Sequence, residues 1–280
     1  MINWLKVYET VGEEKITFSF GKNWRNFLKT IDEDRVRNAE WSLTEFLGLK
    51  DLPGESFLDI GCGSGIFSYA AFNLGASKIV SFDVDIFSVE CCKYLHKKAH
   101  NPKNWEIYEG SILDNNFTSK LGKFDIVYAW GVLHHTGKMW EAIKNSARLV
   151  NKGGYYYVAI YNKVEGRRGS MFWLKIKKLY NSSPRIGRSV LETLYMLNYF
   201  VGNLIRLRNP ITNIKNYKSK RGMNWRTDVT DWLGGYPYEF AKVEEILKFL
   251  KANFPDFNLV NIKKTNGLGS NWYLFRRNED

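Results

Sequence analysis

The amino-acid sequence predicts an α/β fold built on a seven-stranded, mostly parallel sheet. Three observations support this prediction. Short apolar runs alternate with stretches of helical periodicity between residues 55 and 161, a glycine-rich turn follows the first run, and the pattern stops for about eighty residues before it resumes near residue 241. Strands that alternate with helices form β-α-β units, which build parallel sheets covered on both faces. The interruption predicts a largely helical insert after the fifth strand.

The first predicted element is a helix that begins after Thr30. Asp32 to Asp34 suit its first turn, where acidic side chains oppose the helix dipole. Its apolar positions recur at helical spacing and are Val36, Ala39, Leu43, Phe46 and Leu47. Gly48 and Pro53–Gly54 end this segment, so residues 1–54 are interpreted as a helical arm or cap ahead of the sheet.

Seven strands are predicted from the apolar runs that follow. They are SFLDI (56–60), KIVSFD (78–83), WEIYE (105–109), FDIVYAW (124–130), YYYVAIY (155–161), FNLVNI (257–262) and NWYLF (271–275). Helices with one apolar face separate them, at Gly65–Leu74, Ile86–Lys98, Lys138–Val150 and Ala241–Leu250. The last two strands lie close in sequence and are joined by a glycine-containing loop, which predicts an antiparallel hairpin. The core therefore comprises residues 55–161 and 241–280, and the insert residues 162–240.

The formal net charge of +12 is unevenly distributed. Residues 162–226 carry 15 Lys and Arg against Glu165 and Glu192, a local balance of +13, so the other 215 residues sum to −1. A basic insert on a neutral body indicates an anionic partner. The cysteines Cys62, Cys91 and Cys92 form no C-x-x-C pair, and we find no signal peptide or long apolar window, so a cytoplasmic location is expected.

The sharpest motif is LDIGCGSG (58–65), at the turn from the first strand into a helix. Glycines allow a tight turn and a close approach of the backbone to a ligand, although a tight turn alone is the alternative interpretation. The spacing G-x-G-x-G differs from the G-x-G-x-x-G of dinucleotide folds, because Ile66 follows Gly65. The second strand ends in SFDVD, which places Asp83 where a carboxylate can bind a ribose diol. Asp85 is predicted to cap the following helix instead.

With LDIGCGSG followed by FDIVYAWGVLHH, the chain resembles the class I S-adenosylmethionine-dependent methyltransferases. The second motif is similar to that of their small-molecule members, such as the quinone-biosynthesis O-methyltransferases. The resemblance covers residues 55–161 by motif and 241–276 by topology. It implies a Rossmann-like sheet, S-adenosylmethionine as cofactor and S-adenosylhomocysteine as product.

The resemblance also implies cofactor contacts. The loop residues concerned are Asp59, Gly61, Gly63 and Gly65, of which Asp59 and Gly61 face the methionine end. Asp83 would bind the ribose, and Val84 would lie against the adenine. Ser111 stands where many relatives carry an adenine-binding aspartate, so that contact is expected to be weaker or to pass to the backbone at Ile112.

Two tryptophans are candidates for the walls of the cofactor site. Trp130, at the end of the fourth strand, is expected beside the methionine, with a core aromatic as the alternative. Trp24, in GKNW (21–24), is expected either to cover the cofactor or to pin the amino-terminal arm to the body.

AWGVLHHTGKMW (129–140) places His134 and His135 directly after the fourth strand. A metal site is disfavoured, because only His96 and His100 remain as further histidines and adjacent side chains at a strand end point in opposite directions. Imidazole suits base catalysis at neutral pH when the nucleophile carries a proton. We expect one of the pair, His135 ahead of His134, to orient or deprotonate the acceptor, with a structural role for both as the alternative. Thr136 is predicted to cap the next helix.

The insert supplies the candidate substrate residues. MFWLKIKKLY (171–180) mixes large apolar residues with three lysines, and VLETLYMLNYFVGNLI (190–205) predicts a buried or dimer-forming helix. Aromatic, glycine and arginine residues near the end of the insert are typical of binding loops, although they equally predict an anchor on the sheet. The candidates are Tyr161, Asn162, Arg221, Trp232, Tyr236 and Tyr238.

Three functions follow from these features. The first is methylation of a small, anionic or phosphate-containing acceptor, at oxygen. The second is RNA methylation with the insert bound to the backbone, although the fourth strand lacks the Asn/Asp-Pro-Pro-aromatic signature of base-nitrogen methylation. The third is a membrane-surface or partner-binding protein that keeps only the cofactor fold, with Lys175 and Lys177 as its surface lysines. Self-association through the insert is a further expectation.

Overall fold

The computed structural model describes residues 33–207, 209–215 and 225–279. Its sheet contains β1 (Ser56–Ile60), β2 (Lys78–Asp83), β3 (Trp105–Glu109), β4 (Phe124–Trp130), β5 (Val150–Tyr161), β6 (Phe257–Lys263) and β7 (Ser270–Arg277). The strand order is β3-β2-β1-β4-β5-β7-β6. β7 runs antiparallel to both of its neighbours, β5 and β6, and all other neighbouring strands are parallel. The predicted mostly parallel sheet with an antiparallel hairpin at its end is therefore confirmed.

Helices cover both faces of the sheet. They are α1 (Glu33–Leu47), α2 (Ile66–Asn73), α3 (Ile86–Lys98), α4 (Asn115–Thr118), α5 (Met139–Arg148), α6 (Ser170–Ser182), α7 (Arg185–Ile205), α8 (Pro210–Lys215), α9 (Trp225–Gly234) and α10 (Val243–Asn253). One core cluster packs α1, α2 and α3 on the sheet, and a second packs α5 and α10 on the opposite face. Because both faces are buried, the central strands are mostly apolar, which is why their bounds were readable from sequence.

One strand begins earlier than predicted. β5 starts at Val150 rather than at residue 155, and its pairing with β4 shifts between Phe124 and Ile126. Gly154 lies so close to β4 that a Cβ there would be 2.8 Å from the Asp125 carbonyl oxygen. Gly154, which has no side chain, lets this irregular strand pass close to its neighbour.

The insert has a small core of its own between α6, α7 and α9, built on Tyr180, Val229 and Leu233. Its two ends meet, because Asn162 and Ala241 form a parallel bridge and the Ala241 N–H donates to the Tyr161 carbonyl at 3.0 Å. None of the helices in the described ranges is both long and apolar enough to span a bilayer.

Candidate active site

The glycine loop is shaped by close packing against its neighbours. Gly61 has a φ of +67°, and a Cβ there would lie 2.5 Å from Cγ1 of Val132, in the loop that follows β4. Gly65 has a φ of +78°, and a Cβ would lie 2.8 Å from the Cα of Cys92 on α3. Only glycine combines this backbone conformation with these approaches. The loop therefore sits directly beside the β4 loop that carries the histidines.

Three N–H groups of the glycine loop are hydrogen-bonded within the protein. The N–H groups of Gly61 and Cys62 donate to the Phe82 carbonyl at 2.8 and 3.0 Å, and that of Gly63 donates to Oδ2 of Asp83 at 3.0 Å. Phosphate-binding loops instead direct such groups at the ligand. The Gly63 N–H thus holds a carboxylate of the protein.

Asp83 is fixed at the end of β2. Its Oδ1 accepts a hydrogen bond from the Asp85 N–H at 2.9 Å, while Oδ2 accepts the one from Gly63. Burial raises the pKa of Asp83 to about 6, against the opposing effect of these backbone donors. The helix-capping role predicted for Asp85 is confirmed, since its carboxylate accepts the Phe87 N–H at 2.9 Å.

Asp59 lies beneath the loop in a buried polar chain. Ser68 donates to Oδ2 of Asp59 at 2.5 Å, the Ser68 and Ser81 hydroxyls are 2.7 Å apart, and the indole of Trp105 donates to Ser81 at 2.8 Å. Burial raises the pKa of Asp59 to about 7. Because this pKa is close to neutral pH, a cationic ligand group nearby would favour the ionised form of Asp59.

The positions expected at the adenine differ in exposure. Val84 is 63% exposed and directly follows Asp83, so its side chain is free to cover a base. The Ser111 hydroxyl accepts the Leu113 N–H at 3.2 Å. Ile112 is buried, and its carbonyl accepts the side-chain amide of Asn145 at 3.0 Å.

These residues fit S-adenosylmethionine. A carboxylate held at a strand end suits a ribose diol, an exposed apolar side chain beside it suits an adenine, and a loop whose N–H groups are already bonded suits a ligand without phosphate. When bound there, the cofactor supplies an electrophilic methyl group.

The paired histidines do not diverge as predicted. Residues Leu133–His135 form a 3-10 turn rather than a strand end, and the rings of His134 and His135 lie 4.6 Å apart. Both rings contact Tyr161, at 4.0 and 5.4 Å between centroids. The expectation rested on the alternation of an extended chain, which a helical turn abolishes. In the ranges that the structure describes, no group of three or more His, Cys, Asp or Glu is placed to hold a metal ion.

Both imidazoles are neutral at pH 7. Burial lowers the pKa of His134 well below its usual range, and it lowers the pKa of His135 to about 4. His135 holds the Pro237 carbonyl through Nδ1 at 2.6 Å. The Nδ1 of His134 is buried without a hydrogen-bond partner among the described residues, and the nearby backbone of Ala159 offsets part of the effect of burial on the pKa of this ring.

A lysine that the sequence analysis assigned to the surface completes this cluster. Lys177 of α6 is fully buried, and its Nζ donates to the Trp232 carbonyl near the end of α9. The same nitrogen lies 4.1 Å from the Trp232 ring centroid and 4.9 Å from that of Tyr238. Its charge also lowers the pKa of both histidines. The prediction of Lys177 as a membrane-surface lysine is wrong, because the side chain has no exposed area.

The end of the insert is hydrogen-bonded to the turn Leu133–His135, which we call the histidine turn. The Glu239 N–H donates to the His134 carbonyl at 2.9 Å, and the Glu239 carboxylate accepts the Met139 N–H at 3.1 and 3.0 Å. Glu239 thus supplies the negative charge at the start of α5. The cap predicted for Thr136 is wrong, since α5 begins at Met139 and Thr136 receives only the Lys138 N–H, at 3.2 Å.

The remaining substrate candidates have different surroundings. Tyr161 also contacts Trp232 and Tyr238, at 6.3 and 5.0 Å between centroids. The amide of Asn162 donates to the carbonyls of Thr265 and Gly267 and accepts from Asn271, each at 3.1 Å, which ties β5 to the loop between β6 and β7.

Two further candidates, Tyr236 and Trp130, are partly exposed. Tyr236 is half-buried ahead of a cis Pro237, and Trp130 is 39% exposed with its ring edge against Trp272. Trp24 and Arg221 lie outside the described residues.

Comparison with known proteins agrees with this fold. A family model described as a methyltransferase domain matches residues 51–208, more than half of the chain. Ribosomal protein L11 methyltransferase of Staphylococcus aureus is 33% identical over 169 residues, which cover 55% of this chain and 52% of that protein. The chain thus spans about half the length of the curated relatives it matches.

Solved structures show the same fold at low identity. Magnesium protoporphyrin IX methyltransferase from Synechocystis PCC 6803, with bound S-adenosylhomocysteine, superposes with a TM-score of 0.53 at 16% identity, over 91% of this chain and 93% of its own. The 1,6-didemethyltoxoflavin-N1-methyltransferase of Burkholderia thailandensis, also with S-adenosylhomocysteine, gives 0.51 at 14% identity, over 93% and 84%. The family match over more than half of the chain shows that the chain belongs to the methyltransferase domain family, and the solved structures show that it shares their fold.

Proposed function

We propose that the chain methylates a hydroxyl of a small, anionic acceptor that binds beside the histidine turn. The observation that carries this proposal is the buried Nδ1 of His134, which has no hydrogen-bond partner among the described residues. A buried nitrogen without a partner costs about 1–3 kcal/mol, so its retention in an enzyme calls for a ligand that satisfies it. An acceptor hydroxyl is such a ligand.

The surroundings of His134 support the class of acceptor. Tyr161, Trp232 and Tyr238 provide aromatic walls suited to a planar or apolar body. Lys177 provides a buried amino group, which in its protonated form has two N–H groups beyond the one given to the Trp232 carbonyl. An anionic group near Lys177 would favour its protonated form and would be held in turn.

In this proposal the residues of the chain position the acceptor hydroxyl and take up its proton. In-line transfer forms the bond between the acceptor oxygen and the methyl carbon as the bond from that carbon to sulfur breaks, and S-adenosylhomocysteine leaves. Nδ1 of His134 accepts the hydroxyl proton, which the oxygen releases readily once its bond to the methyl carbon forms, so the lowered pKa of this imidazole is compatible with the role. We expected His135 ahead of His134 in this role, and the buried Nδ1 of His134 without a partner among the described residues now favours His134.

We further propose that residues 162–240 act as one unit that closes this site. α6 and α9 supply Lys177, which lowers the pKa of both histidines, and Trp232, which packs against Tyr161. Pro237 and Glu239 join the end of the unit to the turn that carries His134 and His135 by hydrogen bonds. Exclusion of water would protect the sulfonium and strengthen each polar contact.

Protein methylation is the second candidate, and the similarity to ribosomal protein L11 methyltransferase favours it. The two candidates are separated by incubating the protein with methyl-labelled donor and fractionated cell extract. Label in the low-molecular-mass fraction, in a product that mass spectrometry identifies as a methyl ether, is expected. Label confined to a protein or RNA band would overturn the small-molecule proposal.

Single variants test the proton acceptor. His134→Gln should lower kcat by about 100-fold or more while donor affinity is kept, and His135→Gln should cost less. The proposal fails if His134→Gln keeps full turnover between about pH 6 and pH 9, across which an unassisted hydroxyl would show its own steep pH dependence.

A further inference from the structure

The outward side of α7 carries a continuous apolar row. We call it the α7 face, and its residues are Ile186, Val190, Leu194, Leu197, Val201 and Leu204. They recur at three- and four-residue spacing, and each is at least 45% exposed. A scattered exposed leucine is ordinary in proteins, whereas a row along a helix about 30 Å long marks a binding surface.

The opposite side of α7 already holds the helix to the protein. Leu191, Tyr195 and Met196 pack against the insert core. Glu192, the one acidic residue of the helix, accepts hydrogen bonds from Tyr180 at 2.5 Å and Thr230 at 3.3 Å, so its charge is turned inward. The α7 face is therefore free of charge and is presented by a helix whose orientation is fixed.

Positive charges bound the α7 face at both ends. Arg185 begins the helix and Arg206 follows it, and both are exposed. On the adjacent helix α6, Lys175 and Lys178 are exposed beside the exposed Met171. An apolar row with basic residues at its margins is the pattern of a helix that lies in the plane of an anionic membrane surface.

We propose that the α7 face docks the protein on an anionic lipid surface. A second copy of the chain is a poorer occupant on charge grounds. Antiparallel pairing of two α7 faces would set Arg185 of one copy beside Arg206 of the other, and parallel pairing would set like residues together. In each arrangement positive charges repel each other at both ends of the paired helices, whereas an anionic headgroup layer attracts both arginines.

This proposal does not depend on methyl transfer, and it is tested on the full chain without donor or acceptor. The protein is floated with phosphatidylcholine vesicles and with vesicles that also contain phosphatidylglycerol. Binding to the anionic vesicles alone is expected, and salt should weaken it by screening. Leu194→Asp combined with Leu197→Asp should weaken binding at least about tenfold, because both side chains would enter the interface.

Asn198→Gln changes an exposed polar residue of the same helix and serves as the matched control, which should float like the unmodified protein. Circular dichroism verifies that both variants are folded. Failure of the unmodified protein to float with anionic vesicles overturns the proposal. So does a dimer in solution that the double variant dissociates while no vesicle binds, since that outcome assigns the face to a second copy.

Discussion

Replacement of the buried amine, Lys177→Met, should change how stability depends on pH. Burial lowers the pKa of Lys177 from its ordinary 10.5 to about 7 in the folded protein. Between these two values the unfolded chain binds a proton that the folded protein does not. The free energy of unfolding must therefore rise with pH across this window, and the part due to Lys177 is absent in the variant.

The magnitude follows from the two pKa values. The full linkage between 10.5 and about 7 is about 5 kcal/mol, of which about 2 kcal/mol falls between pH 7 and pH 9. This interval stays below the range in which tyrosines titrate. Buried thiols contribute equally to both proteins and cancel in the difference. The variant also leaves the Trp232 carbonyl without its donor, which shifts its stability at every pH but not the slope.

The assay is urea unfolding at pH 7, 8 and 9, followed by tryptophan fluorescence and circular dichroism so that coincidence of the two signals tests for a single transition. Lys178→Met, from the exposed side of the same helix, controls for the loss of one positive charge. If the free energy of unfolding rises equally with pH in the unmodified protein and in Lys177→Met between pH 7 and pH 9, the assignment of a buried amine with a lowered pKa is refuted.

Three further substitutions test the donor site and its support. Asp83→Asn should weaken S-adenosylmethionine binding by about tenfold to a hundredfold in calorimetry, since it loses a charge-assisted contact; unchanged affinity would remove Asp83 from the site. Gly61→Ala should destabilise the protein by about 1–3 kcal/mol in urea, because its Cβ would meet Val132 at a positive φ, and a neutral result would mean that the loop can shift. Glu239→Ala should cost about 0.5–2 kcal/mol, and Glu239→Gln less, because the amide keeps one acceptor for Met139; equal losses would exclude the capping role.

The core could be read from sequence because its signals are local. β1, β2, β3 and β4 have the predicted bounds, since each is a buried apolar run that ends at a charge, a glycine or a turn. The glycine loop is equally local. It joins a strand to the next helix within a few residues, so the motif specifies its own geometry. Asp83 follows from the next strand by the rule that ligands bind at the carboxyl edge.

The burial of Lys177 could also be predicted from the sequence, by the periodicity of α6 rather than by its composition. Trp173, Lys177 and Tyr180 are four and three residues apart and occupy one side of α6. Read by periodicity, MFWLKIKKLY has one lysine on its apolar side and two on its exposed side. Read by composition, the three lysines look alike, and that reading led to the wrong assignment.

The rest of the acceptor site has no comparable local signal. Glu239 caps a helix that begins 100 residues earlier, and Pro237 holds His135 across 102 residues. Such contacts depend on how the insert folds back, and neither periodicity nor spacing encodes that path. The glycine loop of the candidate donor site is one contiguous turn, whereas the candidate acceptor site is assembled from elements that lie far apart in the sequence and can change with the insert. The chemistry of the acceptor is therefore to be sought in residues 162–240, where Lys177 lowers the pKa of both histidines and Trp232 packs against Tyr161.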